Sequence, residues 1–306
     1  MKYLILITLL SLTHLVIASD VNDDFNIVEV AEGNYLHKGV HVSVDDKHHD
    51  DIANIGFIIG NRCIAVVDTG GSIDIGMKLL KKIKSISDKP ICYVINTHVH
   101  FDHILGNKAF VLDNPEFIGH ENLGIEVERN RNFFLEQFKN DLGPNPSASS
   151  IIGPNVLIDK PTQLDLGDRI ITLTPFPVSH SHSDLTIMDN RTSTLWAGDL
   201  IFRERIPSLT GSLIGWVKVM KELFNLKVEL VIPGHGNVAE SMTIAIKQQR
   251  DYLHRLLNET RNSIEEGQFI NEAAENVDSE NLSGWLLHDS QHPTNVSRAF
   301  NELEWE

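Results

Sequence analysis

Cysteine is nearly absent from this chain, with Cys63 and Cys92 the only two among 306 residues. Two thiols cannot build a four-cysteine metal site. They leave a choice between one disulfide, permitted in an oxidising compartment, and a pair of small buried hydrophobes. Positive charge is scarce as well: 26 Lys and Arg stand against 42 Asp and Glu, a formal charge of −16. A surface of that sign repels nucleic-acid phosphates and anionic lipid, which argues against both as partners. Simple solubility accounts for the acidity. Aromatic residues make up 7%. No repeat of solenoid spacing is present, and no composition shift marks a linker. No serine or cysteine sits in a convincing nucleophile triad. The length allows one large α/β domain or two small ones.

What is present begins with MKYLILITLLSLTHLVIASD. One Lys precedes an apolar run, and the small residues Ala18 and Ser19 follow it before an acidic stretch. That is the form of a secretory signal peptide. The run is short for a helix crossing about 30 Å of hydrocarbon. The expectation is therefore a signal over residues 1–19, removed near Ala18 or Ser19, and a secreted protein with no stable membrane anchor afterwards. Residues 20–306 then form one domain.

Periodicity orders that domain. Phe25 to Val44 alternates as paired strands would. The runs Ile55–Ile59 and Cys63–Val67 flank Gly60-Asn61, a hairpin turn signal. Helical spacing over residues 73–87 stops before Pro90, and Ile91–Asn96 is again apolar. This strand, helix, strand unit predicts a parallel pair with a right-handed crossover. Phe117-Ile118 reads as a short strand, 122–140 as helix and 143–161, rich in Pro, Ser and Gly, as loop. Two antiparallel strands are expected around Gly167-Asp168, followed by strands at 185–188, 194–197 and 228–232. Helices are expected at 213–224 and 242–266, and a polar tail from 268 carries short helices. The apolar stripe of the longest helix faces the core. Two sheets with outer helices, an α/β four-layer αββα sandwich, fit this order.

Histidine is abundant, at 15 residues, and it is grouped. Residues 97–104 read Thr-His-Val-His-Phe-Asp-His-Ile, directly after an apolar strand. His98, His100, Asp102 and His103 crowd one strand end, and imidazole with carboxylate suits Zn²⁺. Alternating His98 and His100 share one side while Asp102 and His103 turn towards a second position, so two adjacent metal sites fit the segment. A surface histidine cluster is the plain rival. Three later strand ends supply what this cluster lacks: His180 with His182, Asp199 after Gly198, and His235 in Pro-Gly-His-Gly. Glycine beside a ligand permits tight turns and close backbone approach.

With its His-x-His-x-Asp-His over His98–His103, the chain resembles the metallo-β-lactamase fold superfamily across about residues 28–240. The resemblance implies the metallo-β-lactamase sandwich. It places His98, His100 and His180 on one metal and Asp102, His103 and His235 on another, with Asp199 bridging. Asp68, in Val-Asp-Thr-Gly, matches a buried aspartate that orients ligands. The family pattern sets the ligand four positions before an aspartate, which selects His180 with Asp184 over His182. A narrower likeness rests on Asp51–Gly56, Arg205-Ile206-Pro207, Gly211–Trp216 and the closing Glu-Leu-Glu-Trp-Glu. These segments resemble the quinoprotein relay system zinc metallohydrolases, exported bacterial proteins. They imply a periplasmic location and association with a quinoprotein dehydrogenase system.

The expected function is a dinuclear zinc-dependent hydrolase that uses a metal-bound hydroxide on an ester, thioester or related small-molecule substrate. Asp102 is its catalytic carboxylate. Two Zn²⁺ are the expected cofactors, with iron in a mononuclear persulfide dioxygenase of the same fold as the alternative. A noncatalytic periplasmic accessory protein is the other rival. His120, His182, Arg205 and Ser212 are expected around the substrate pocket, where Arg205 would meet an anionic substrate. Trp216 is expected in the core.

Overall fold

Strands buried on both faces read as unbroken apolar runs. In the computed structural model, which describes residues 25–306, Ile64–Val67 is buried at every position. Ile64 and Val66 enter one core and Ala65 and Val67 another, as the two-residue period of a strand requires. The expected signal peptide at 1–19 lies outside the described residues.

Among the described residues, one sheet has seven strands in chain order. These are β1 (Val28–Ala31), β2 (Asn34–His37), β3 (Ile55–Ile59), β4 (Ile64–Val67), β5 (Ile91–Ile95), β6 (Glu116–His120) and β7 (Val156–Ile158). Pairing is antiparallel from β1 to β4 and parallel from β4 to β7. The second sheet holds β8 (Thr162–Asp165), β9 (Ile170–Pro175), β10 (Leu185–Asp189), β11 (Thr194–Phe202) and β12 (Leu230–His235). Its order is β12-β11-β10-β9-β8, and only β11 and β12 run parallel.

The helices are α1 (Ile73–Ile86), α2 (Phe101–Ile104), α3 (Leu123–Gln137), α4 (Leu213–Phe224), α5 (Met242–Glu265), α6 (Ile270–Asn276) and α7 (His288–Leu303). Ser72, Ser212 and Ser241 start α1, α4 and α5, each accepting a backbone N–H from the first turn, which satisfies a donor the helix cannot.

Among the described residues there are four apolar clusters, three of which stack between the layers. Leu79 and Ile83 of α1 meet Phe57 and Val66 on the outer face of the first sheet. Ile58, Ile95, Leu173, Ile187 and Trp196 fill the space between the sheets. Trp216, Leu253 and Val296, from α4, α5 and α7, cover Leu195 and Val231 on the far side. The result is the expected αββα sandwich. Cys63 and Cys92 form a disulfide, which resolves the choice left open by the sequence and ties the start of β4 to β5.

Two stretches differ from expectation. The supposed loop at 143–161 contains β7, a three-residue edge strand. Val156 and Ile158 face the inter-sheet core while Leu157 is exposed, too short an alternation to stand out among Pro, Ser and Gly. Behind the histidine cluster, α2 runs into a 3₁₀ stretch, Leu105–Asp113, a segment to which the sequence pattern assigns no element. Gly106 fits there because a Cβ would lie 2.0 Å from the carbonyl oxygen of Thr69.

Candidate metal centre

The edge formed by the ends of β5, β11 and β12 gathers the predicted ligands. His98 and His100 follow β5, and Asp102 and His103 lie on α2. His180 stands in the turn between β9 and β10, while Asp199 and His235 belong to β11 and β12. Two groups result: His98, His100, His180 and Asp199 in one, and Asp102, His103 and His235 in the other. Within each group the ligand atoms lie within 4.8 Å of one another. Nδ1 of His100 is 2.9 Å from Nε2 of His98 and 3.0 Å from Nε2 of His180. Asp199 spans both groups. Its Oδ2 is 3.5 Å from Nε2 of His180 and 3.3 Å from Nε2 of His235, and its Oδ1 is 3.2 Å from Nε2 of His103.

Hydrogen bonds behind the rings set which nitrogens face inward. Asp68 accepts from the backbone N–H and hydroxyl of Thr97 and from Nδ1 of His103, the last at 2.8 Å. Because the Thr97 hydroxyl donates to Asp68, its oxygen accepts from Nδ1 of His98 at 3.0 Å. The Thr210 hydroxyl donates to the carbonyl of His180 and accepts from Nε2 of His100. Nδ1 of His235 donates to the carbonyl of Ile52 at 2.7 Å. With those protons fixed, lone pairs of His98, His100, His103 and His235 point into the centre. Nε2 of His103 and Oδ1 of Asp199 are buried without a hydrogen-bond partner. Burial opposes a charge on His103, but Asp199, Asp102 and Asp68 outweigh it and raise that imidazole well above its usual range. Three carboxylates crowded on one buried ring call for positive charge at this place, which a metal ion would supply, so this donor set fits metal ions.

A family profile of the metallo-beta-lactamase superfamily matches residues 49–235, over half of the chain. The chain belongs to this superfamily. A 48-residue segment is 52% identical to the linear primary-alkylsulfatase of Pseudomonas sp., but it is 16% of this chain and only 9% of that protein. Among solved structures, the chain is similar to a metallo-beta-lactamase from Pontibacter korlensis, with a TM-score of 0.61 and 17% identity over 75% of this chain and 98% of that one. It is also similar to the stereoselective inverting sec-alkylsulfatase from Pseudomonas sp., with a TM-score of 0.68 and 17% identity over 90% of this chain and 50% of the other. At such identities these two likenesses are of fold.

Two glycines let the superfamily centre close. A Cβ on Gly234 would lie 1.9 Å from Oδ1 of Asp199. Gly198 adopts φ +52°, and a Cβ there would lie 2.6 Å from Cβ of Thr97. Burial holds His98 and His180 well below the usual imidazole pKa and brings His100 to about 4. All three are thus neutral, the form that binds metal. Burial opposes ionisation of Asp199, but His235 and His103 outweigh it and hold that carboxyl well below its usual range. Asp184 accepts from the hydroxyls of Ser179 and Ser181 and from the N–H of Ser181. These bonds hold the turn so that His180 is buried and His182 exposed.

A cavity of about 230 Å³ lies over the centre, lined by Asp102, Asp199, His235, Arg205, Thr210 and Arg298 among others. Arg205 thus lines the cavity over the donor groups. His182 instead lines an adjoining cavity, with Phe101, Phe133 and Phe134. His120 is placed elsewhere, in a separate cleft with Asp159 and Pro177. There its Nε2 donates to the carbonyl of Phe176 and its Nδ1 accepts from the N–H of Asn122, so both nitrogens are satisfied. Ser212 is occupied in capping α4 and in a hydrogen bond to Glu302. Trp216 is fully buried, donates to the carbonyl of Leu200 and sets its ring edge against His180. Sequence reasoning missed Thr97, Thr210 and the Ile52 carbonyl, which orient ligands through hydroxyl or backbone atoms that carry no pattern of their own. It missed Arg298 because that residue comes from the tail.

Proposed function

We propose that the protein is a dinuclear zinc hydrolase acting on an ester, thioester or related small substrate. The observation that supports this most directly is the pair of adjoining donor groups joined by Asp199. His98, His100 and His180 would hold one ion, Asp102, His103 and His235 the other. When bound, two zinc ions lower the pKa of coordinated water to about 7 and polarise the substrate oxygen that gains charge. The complete second group favours two ions over a single iron.

Asp102 is the chain's own candidate for moving the proton. Its Oδ2 lies 3.5 Å from Nε2 of His103 and 3.4 Å from Nε2 of His235, and its side chain also lines the cavity. That position lets the carboxylate orient a nucleophile and accept its proton. Asp102→Asn is expected to lose roughly 10²- to 10⁴-fold in kcat on a panel of nitrophenyl esters and thioesters while keeping its Tm and yield. Parallel loss of turnover and soluble protein would leave Asp102 with a folding role only. The similarity to alkylsulfatases adds sulfate esters to that panel. The Cys63–Cys92 disulfide supports an exported protein, since such bonds persist in oxidising compartments. Within the superfamily we favour the quinoprotein relay system metallohydrolases, on the segments noted above, and with them a periplasmic location beside a quinoprotein dehydrogenase system.

A further inference from the structure

The cavity over the metal centre has a cationic wall that the hydrolase reading leaves unused. Arg205, in the segment after β11, lines it, and Nη1 of this residue is buried with no hydrogen-bond partner. Burial opposes the charge of Arg205 while the nearby carboxylates of Asp102 and Asp199 support it, but both carboxylates belong to the donor groups. A guanidinium stays charged in any such setting, and a buried donor without a partner is costly unless something fills the place. Arg298, from α7, lines the same cavity, and its Nη1 donates to the carbonyl of Leu209.

The two arginines are held relative to each other. Asn295 of α7 accepts from the N–H of Leu209 at 2.9 Å and donates to the carbonyl of Pro207 at 2.6 Å. Glu302, further along the same helix, accepts from the Ser212 hydroxyl and the N–H of Leu213. The loop carrying Arg205 and Thr210 is therefore clasped to α7, which lies beyond the segment 49–235 shared with the superfamily. Arg298 also borders the adjoining cavity of about 470 Å³, whose wall includes Phe101, Phe133 and Phe134.

We propose that Arg205 and Arg298 form an anion clamp above the metal centre, and that the substrate is an ester carrying an oxyanion group between them and an apolar arm in the cavity of Phe101, Phe133 and Phe134. Planar guanidinium donors suit the paired oxygens of a sulfate, phosphate or carboxylate. This rests on the hydrolase reading for the word ester, but the clamp itself is a matter of binding.

The test is calorimetric titration of the zinc-loaded full chain with octanesulfonate, octylphosphonate and nonanoate, none of which can be hydrolysed, and with octanol as the neutral probe. Arg205→Gln is the decisive variant, because the Arg205 side chain donates no hydrogen bond among the described residues. It is expected to weaken the preferred anion by roughly tenfold or more, with Arg205→Lys weakened less, and octanol unchanged in both. Zinc content and Tm should match the parent protein. The rank among the three anions identifies the head group. Anion affinity within about twofold of the parent in Arg205→Gln, or octanol binding as tightly as every anion, would overturn the clamp. A chain that binds the anions through Arg205 yet hydrolyses no ester would support the clamp and count against the hydrolase reading.

Discussion

At the scale of single residues, the centre depends on protons held away from it. Asp68 accepts three hydrogen bonds, two from Thr97 and one from His103, so one buried carboxylate fixes the tautomers of both His103 and His98. Asp68→Ala is expected to lower zinc affinity by about 10- to 100-fold in chelator competition; unchanged affinity would mean that the rings are oriented by packing alone. How far such roles are legible in a sequence depends on the chemistry of the residue. His98, His100, Asp102 and His103 stand out because four ligand-type side chains share one strand end. The choice between His180 and His182 needed the position of Asp184, and the structure supplies the reason: serine donors to Asp184 shape the turn. Thr97 and Thr210 were illegible, since threonine hydroxyls orient imidazoles here only because folding brings them behind the rings.

At the scale of elements, strand ends deliver the ligands and glycines let the strands approach. Gly234 on β12 leaves no room for a methyl group against the Asp199 carboxylate on β11. Gly234→Ala is expected to displace that carboxylate, lowering zinc affinity by at least about tenfold and costing about 1–3 kcal/mol in urea unfolding. Wild-type zinc affinity in this variant would show that Asp199 can move without leaving the ions. Strongly periodic elements such as α1, α4 and α5 were readable from apolar spacing, and so were the strands buried on both faces. The edge strand β7 was not, because three residues cannot display an alternation. The contribution of α7 was also hidden. Its sequence reads only as part of a polar tail with short helices, whereas α7 runs for 16 residues, and nothing in that tail says that Asn295 and Glu302 grip the loop after β11 while Arg298 faces the cavity.

At the scale of the whole molecule, the candidate metal centre draws its donors from the ends of strands in both sheets, and the disulfide ties the start of β4 to β5 within the first sheet. The Cys63–Cys92 bond closes a segment with a sequence separation of 29, so replacing both cysteines by alanine is expected to cost about 3–4 kcal/mol by loop entropy. Urea unfolding of the double variant measures this, and a midpoint equal to that of the parent would show that the bond adds nothing to the fold. The acidic surface, with its formal charge of −16, does not decide substrate charge, because two bound cations and two arginines would dominate the local field. The central claim is that two metal ions occupy adjoining sites built by residues of both sheets. Elemental mass spectrometry of the purified, unchelated full chain tests it most directly. Two zinc ions per chain are expected; a single iron, or no metal at all in protein that is folded, would rule out a dinuclear zinc centre.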